Sequence, residues 1–158
     1  MRGTAPTVDA YSHVGLPRFC SPDQALDVCE QWGIGKAVFS LGPGVPDILP
    51  LAEAVLAHPN RARAVGIPFG ETETQRYELV GLQLDAGFLG IRMDHGEVLA
   101  NSRALYHIGQ RAAWIYYVGM PLTNDRADPL VQWLDTHPDG RIAAPHFLQR
   151  DVPNLNTN

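Results

Sequence analysis

Short apolar runs alternate with longer amphipathic stretches along most of the chain. The apolar runs predict six β-strands, at 7–13, 36–41, 62–69, 88–94, 114–119 and 141–147. The stretches between them predict five helices, at 21–33, 46–59, 72–87, 101–113 and 128–140. The first helix has typical boundary residues, because Ser21 suits an N-cap, Pro22 suits the first turn and Gly33 suits the C-terminal end.

Regular alternation of strands and helices predicts parallel strands joined by right-handed helical crossovers. Several strands are apolar on both faces, which is typical of a sheet that helices cover. A doubly wound open sheet and a (β/α)₈ barrel both fit this pattern. A complete barrel needs eight strands and typically about 250 residues. The fold class is therefore α/β, and two architectures stay open. A partial (β/α)₈ TIM-type barrel would have about six parallel strands in sequential order, whereas a reversal of strand order would indicate the doubly wound sheet.

The composition indicates one globular domain and excludes several classes of partner. The chain has 158 residues, of which 45% are hydrophobic, so we assign 1–150 to a single domain and 151–158 to a polar tail. A net charge of −5 with dispersed basic residues predicts no nucleic-acid or membrane partner. No apolar run approaches the roughly 20 residues that span a bilayer. With no signal-peptide pattern and two cysteines that read as free thiols, a cytoplasmic location is the default prediction.

The first strand carries a candidate metal motif. In "TVDAYSHVG" (7–15), alternation places Asp9, Tyr11 and His13 on one face, with His13 nearest the C-terminal end of the strand. Two histidines at i and i+2 could hold one metal from a single strand, but Tyr11 occupies the first of these positions. On its own, a single histidine at a strand end is more often a polar cap than a metal ligand.

Six phrases along the chain together resemble one family. They are "VDAYSHVG", "WGIGKAVFSL", "HPNRARAVGIPF", "DAGFLGIRMD", "LYHIGQRAAWIYYVG" and "HPDGRIAAPHF", which occur in this order between residues 7 and 147. The chain resembles the amidohydrolase-related proteins, the metal-dependent (β/α)₈ hydrolases and decarboxylases sometimes called amidohydrolase 2. Each phrase alone is weakly specific, whereas six in order are more so.

The resemblance implies a zinc or manganese site at the C-terminal ends of the strands, built from histidines of strands one, five and six and an aspartate of strand eight. His13 and His146 match two of the ligand positions. Tyr11 and Tyr117 stand where two other histidines belong, and the strand-eight aspartate has no counterpart. Catalytic zinc normally has three protein ligands, so the resemblance predicts an altered metal site.

Three residues around the fourth strand are candidate substrate contacts. Arg92 and Asp94 share one strand face, and Arg92 stands near the family's strand-four lysine. A guanidinium there could bind a substrate carboxylate through two hydrogen bonds, or it could form an internal salt bridge with Asp94. His95 follows the strand at the predicted mouth of the barrel. His58, His107 and His137 read as structural residues.

Two principal hypotheses of function follow, and whether the chain is an enzyme stays open between them. The first is a metal-dependent hydrolase or decarboxylase that acts on a small carboxylate or cyclic substrate. The second is a catalytically inactive family member, either a binding or assembly module or a gene fragment. Open sheet edges would then favour self-association or a homo-oligomer. A third option is a doubly wound domain that binds a small ligand at its strand ends.

Overall fold

A computed structural model describes residues 7–42, 45, 47–118 and 124–145, with side chains from residue 127 onward in the last range. The strands in this part of the chain are β1 Thr7–Val14, β2 Ile34–Leu41, β3 Ala62–Gly66, β4 Gly90–Met93, β5 Trp114–Tyr117 and β6 Arg141–Ala143. The helices are α1 Pro22–Gln31, α2 Leu49–Ala57, α3 Glu73–Asp85, α4 His95–Ala100, α5 Ser102–Gln110 and α6 Asn124–Thr136.

The six strands form one sheet in the order β1-β2-β3-β4-β5-β6. The pairs β1–β2, β2–β3, β4–β5 and β5–β6 are parallel. The order contains no reversal, which a doubly wound sheet requires. The prediction of a partial (β/α)₈ arrangement with sequential strands is therefore confirmed.

The sequence pattern predicted five helices, whereas the described residues contain six. The additional helix is α4. This short helix follows β4 directly, in a stretch to which the sequence pattern assigned no element. Its N-cap Asp94 accepts a hydrogen bond from the backbone of Glu97, whose side chain accepts one from the backbone of Asp94. Such a capping box reads as Asp-x-x-Glu in the sequence, so "DHGE" (94–97) carried the signal.

By their contacts, the residues group into two compact units, Met1–Gly66 with Gln83–Leu89 and Ile67–Leu82 with Gly90–Asn158. The prediction of one domain over 1–150 stays a prediction, and the tail 151–158 lies outside the described residues. In the first unit β2 is the central strand, between β1 and β3. Its side chains are buried from Ala37 to Leu41, which explains its continuous apolar sequence.

Helix α1 begins and ends as the sequence predicts. The Ser21 hydroxyl accepts a hydrogen bond from the Gln24 backbone, and the Gln24 side chain accepts one from the Ser21 backbone. Gly33 follows the helix with φ +68, a conformation that favours glycine. Arg61 fixes the helix to the start of β3 by donating to the Glu30 carboxylate at 3.1 Å and to the Leu26 carbonyl at 3.0 Å.

In the second unit, β5 lies between β4 and β6. The two faces of this sheet differ in burial. Ile91, Met93 and Ile115 are fully buried and share one face. Arg92 pairs in register with Tyr116 on the opposite face.

Candidate functional site

Strand β1 carries an irregularity within its candidate motif. Asp9 pairs with Ala37, whereas Ser12 pairs with Phe39, so three steps along β1 match two along β2. The Asp9 carboxylate accepts hydrogen bonds from the Tyr11 backbone N–H at 3.1 Å and from the Ser12 hydroxyl. Asp9 therefore stabilises this bulge, which a regular alternation of faces could not predict.

Tyr11 lies within this irregular stretch, and its ring lies next to the ring of His13. Their ring centroids lie 5.0 Å apart in an edge-to-face arrangement, and both side chains are half-buried. His13 pairs in register with Ser40 of β2. On its other side, the His13 ring lies 5.4 Å from the ring of Phe19. The end of β1 is thus a polar and aromatic cluster within the first unit.

The loop after β1 places Phe19 over the end of β2. Two backbone hydrogen bonds close this loop, from Gly15 to the Cys20 carbonyl and from Phe19 to the Gly15 carbonyl, each 2.9 Å long. A Cβ atom at Gly42 would overlap the Phe19 ring. Glycine at this position therefore permits the close approach of the ring to the strand.

The three predicted substrate contacts at β4 have different environments. Arg92 is half-buried on the strand face that Tyr116 shares. The Asp94 carboxylate accepts from the Glu97 backbone at 2.8 Å, so it caps α4. His95 is the first residue of α4 and is half-buried.

Glu97, in the first turn of α4, is a polar residue that the sequence did not single out. Burial raises the pKa of its carboxyl group, while the hydrogen bond from the Asp94 backbone and the nearby charge of Arg92 act in the opposite direction. The Asn101 side chain donates to the Glu97 carbonyl at 2.6 Å and accepts from Arg76 at 2.5 Å. This network holds α4 in place, and Glu97 lies within electrostatic range of Arg92.

Tyr117 lies on the buried face of β5. Its side chain is 1% exposed, and it pairs in register with Met93. Alternation therefore places it on the face opposite to Arg92 and Tyr116. The neighbouring Tyr116 is also buried, and burial raises the pKa of its phenol.

The described residues do not fit a catalytic metal site. Within them, no three His, Cys, Asp or Glu side chains gather into a group that could hold a metal ion. At the end of β1 the available donors are His13 and the phenol of Tyr11, whose ordinary pKa of about 10 disfavours metal binding. His146, the other predicted ligand, lies outside the described residues. Catalytic zinc needs about three protein ligands, more than the described residues at this strand end supply.

The remaining histidines pack as structural residues. His58 ends α2 and lies 3.1 Å from the Asp23 carboxylate. The His107 ring lies edge-to-face with Tyr77 at 4.8 Å. The His137 ring stacks on Trp133 at 5.3 Å. Each ring is fixed by neighbours within its own unit.

Solved structures resemble this fold at low sequence identity. A probable 2-pyrone-4,6-dicarboxylic acid hydrolase from Acinetobacter baumannii with citric acid bound is 12% identical with a TM-score of 0.58, over 84% of this chain and 54% of that chain. A 2,6-dihydroxybenzoate decarboxylase complexed with 2,6-dihydroxybenzoate is 16% identical with a TM-score of 0.64, over 88% and 66%. A monomeric dihydrodipicolinate synthase variant is 9% identical with a TM-score of 0.51, over 87% and 62%.

These similarities show the fold and leave the activity open. The chain spans between about half and two thirds of the length of the three structures. No protein-family model matches the sequence, and no curated protein matches it. The hydrolase and the decarboxylase agree with the partial (β/α)₈ arrangement of this chain. In the described part of the chain, no helix is both long and apolar enough to cross a membrane.

Proposed function

We propose that the chain is an amidohydrolase-type protein that binds a small cyclic carboxylate at the C-terminal ends of its strands, for hydrolysis or decarboxylation. The proposal combines the fold with the phrases of the sequence that resemble this family. Two of the similar structures are named for reactions of ring carboxylates, a dicarboxylic acid hydrolase and a dihydroxybenzoate decarboxylase. The same chemical class is therefore the first to test as a ligand of this chain.

The register pair of Arg92 and Tyr116 carries the proposal. Arg92, which is half-buried, and Tyr116, which is buried, are partners on neighbouring strands and share one face of the sheet. Arg92 is the third of the four residues of β4, near the end where ligands bind in parallel α/β folds. A guanidinium can hold a carboxylate through two parallel hydrogen bonds, and a neighbouring aromatic side chain favours a ring-bearing ligand. The nearby Glu97 would limit this affinity at a pH where it is ionised.

Binding measurements with the purified chain test the proposal directly. Titration calorimetry with 2,6-dihydroxybenzoate and 2-pyrone-4,6-dicarboxylate should detect binding to the wild-type chain. Arg92→Leu should weaken binding about tenfold or more, the usual effect of losing a hydrogen bond to a charged group. Arg141→Leu is the matched control, because Arg141 is exposed at the beginning of β6. Equal affinities of the wild type and Arg92→Leu would contradict the role of Arg92.

The reaction itself needs a separate measurement, because a metal remains part of the hypothesis. His13 and His146 are the proposed zinc or manganese ligands, with Tyr11 and Tyr117 at the two altered positions. Carbon dioxide release and ring opening should be assayed with and without added Zn²⁺ or Mn²⁺, together with the metal content of the purified chain. Turnover that depends on the metal would support an enzyme, with Asp94 and His95 as further candidates for substrate contact.

A binding module without catalysis is the second candidate function. It is favoured by Tyr11 in a ligand position and by the lack of a three-donor metal group among the described side chains. This candidate predicts binding of the ring acid with no turnover at any metal concentration. Sedimentation velocity would test whether such a module self-associates as the open-edge hypothesis predicts.

A further inference from the structure

A cavity of about 250 Å³ lies within the first unit, beyond the C-terminal ends of β1 and β2. Its walls include Gly15 and Leu16, which directly follow β1, and Val45 and Asp47, which lie between β2 and α2. Parallel α/β folds bind their ligands at this end of the sheet. Sites for drug-sized ligands have volumes of about 300–1,000 Å³, so this cavity, which we call the β1–β2 cavity, suits a smaller molecule.

Most side chains that line the β1–β2 cavity are apolar. They are those of Leu16, Pro22, Val45 and Pro50. Val45 is buried, whereas Leu16 is exposed, so the cavity reaches from the surface to the edge of the core. An apolar wall with a few polar groups is typical of a site for a small molecule.

The two helices that begin beside this cavity offer few N–H groups to an anion. Helix N-termini commonly bind anions through backbone N–H groups that have no partner in the helix. Here Pro22 and Pro50, in the first turns of α1 and α2, have no N–H at all. The Ser21 hydroxyl already accepts an N–H of α1, and the Asp47 carboxylate accepts the Leu49 N–H of α2 at 3.0 Å. The cavity is therefore poorly suited to a carboxylate or a phosphate.

The charged side chains around the cavity are acidic. Asp47 lines it directly, and a second cavity of about 210 Å³ shares three lining residues with it and adds Asp23 and Glu53. No Lys, Arg or His is among the described residues that line either cavity. Asp23 already contacts His58 at 3.1 Å, so Asp47 is the carboxylate best placed to pair with a ligand. The charge favours a cation, in contrast to the ring acid proposed for Arg92.

We propose that the β1–β2 cavity binds a small aliphatic primary amine, with its ammonium group beside Asp47 and its hydrocarbon chain against Leu16, Pro22 and Pro50. The Oδ1 atom of Asp47 accepts the Leu49 N–H, and a carboxylate has further acceptor sites for an ammonium group. Burial of the hydrocarbon chain against the apolar wall supplies the rest of the affinity. This site lies in the first unit and does not rest on the proposed function, which belongs to Arg92 in the second unit.

Three probes of similar length and different charge test the class of ligand. They are n-butylamine, n-butanol and n-butyrate, added to the isotope-labelled chain at neutral pH and low salt while its backbone amide NMR signals are followed. Butylamine should shift the signals of Gly15, Leu16 and Asp47 in a saturable way and with higher affinity than butanol, whereas butyrate should leave them unchanged. Butanol or butyrate binding as tightly as butylamine, or no shift with butylamine, would overturn the inference.

A charge-removing variant tests the role of Asp47. Asp47→Asn keeps an oxygen acceptor for the Leu49 N–H, so the melting temperature should be unchanged. Its affinity for butylamine should fall about threefold or more, as expected for loss of an exposed ion pair. Asp27→Asn is the matched control, because Asp27 is exposed on α1 and does not line the cavity. Equal butylamine affinity of Asp47→Asn and the wild type would overturn the inference and leave the proposed function at Arg92 untouched.

Discussion

The carboxylate of Asp9 accepts a hydrogen bond from the backbone N–H of Tyr11 across 3.1 Å. The same side chain accepts from the Ser12 hydroxyl, at the point where β1 and β2 lose their regular register. The aspartate of the strand-one motif therefore shapes the backbone on which Tyr11 and His13 stand. In this chain its role in the described structure is to support the strand.

The bulge predicts a clear difference between two substitutions of Asp9. Asp9→Ala removes both hydrogen bonds and leaves a half-buried N–H without its acceptor, so the free energy of unfolding should fall by about 1–2 kcal/mol. Asp9→Asn keeps an oxygen acceptor and should lose less. Urea denaturation of the three proteins at neutral pH measures the effect, and equal losses in both variants would show that charge, rather than the acceptor geometry, holds the bulge.

Asp9 also bears on the prediction of self-association through sheet edges. β1 is a terminal strand of the described sheet, and edge strands are commonly protected by bulges and charged side chains. Asp9 supplies both features, so Asp9→Ala should sediment as larger species than the wild type at equal concentration. If both proteins sediment alike, this edge does not control assembly.

Because of Glu97, we expect the stability of the chain to depend on pH in a defined direction. Its folded pKa is raised, first by burial, so the folded state binds the proton more tightly than the unfolded state, whose pKa is about 4.3. Protonated Glu97 therefore stabilises the folded state fully below the unfolded pKa. This stabilisation is lost as the pH rises through the higher folded pKa. Glu97→Gln should remove this loss and be more stable than the wild type at pH 7.

The first helix shows why this substitution preserves the structure. Helix α1 has Gln24 in the same capping position, with its side chain accepting from the Ser21 backbone at 3.0 Å. Urea unfolding of the wild type and Glu97→Gln between pH 4 and 8 gives the difference in their free energies of unfolding at each pH. The other carboxylates are common to both proteins, so their contributions cancel in this difference. A difference that does not change with pH would contradict the raised pKa.

The sequence predicted the strands, their order and the start of α1 because apolar runs and capping residues are local signals. It could not predict the orientation of Tyr117, since a face assignment at a strand end depends on which residues the helices cover. The bulge at Asp9 also could not be predicted from the sequence, because it arises from the pairing of β1 with β2.

Substitution of Ser21 should measure how much the N-cap of α1 contributes to stability. Its hydroxyl accepts from the Gln24 backbone N–H at 3.3 Å, and it satisfies one of the unpaired donors at the helix start. Ser21→Ala should lower the free energy of unfolding by about 1 kcal/mol. Ser21→Asp is the matched variant that should retain stability, because aspartate also caps helices. Equal stability of the alanine variant and the wild type would show that water replaces this cap.

Among the proposed substitutions, we expect the one at Gly90 to cause the largest loss of stability. A Cβ atom there would overlap the backbone carbonyl oxygen of Trp114 on the neighbouring strand, and a backbone atom cannot move aside as a flexible side chain can. Gly90→Ala should therefore cost about 3 kcal/mol or more and loosen the pairing of β4 with β5. Gly96→Ala is the control, because Gly96 lies in α4 with its nearest neighbour at 3.4 Å. Since alanine favours helix over glycine, Gly96→Ala should be neutral or stabilising. Thermal unfolding of the two variants beside the wild type provides the measurement, and a stable Gly90→Ala would contradict the close approach of these two strands.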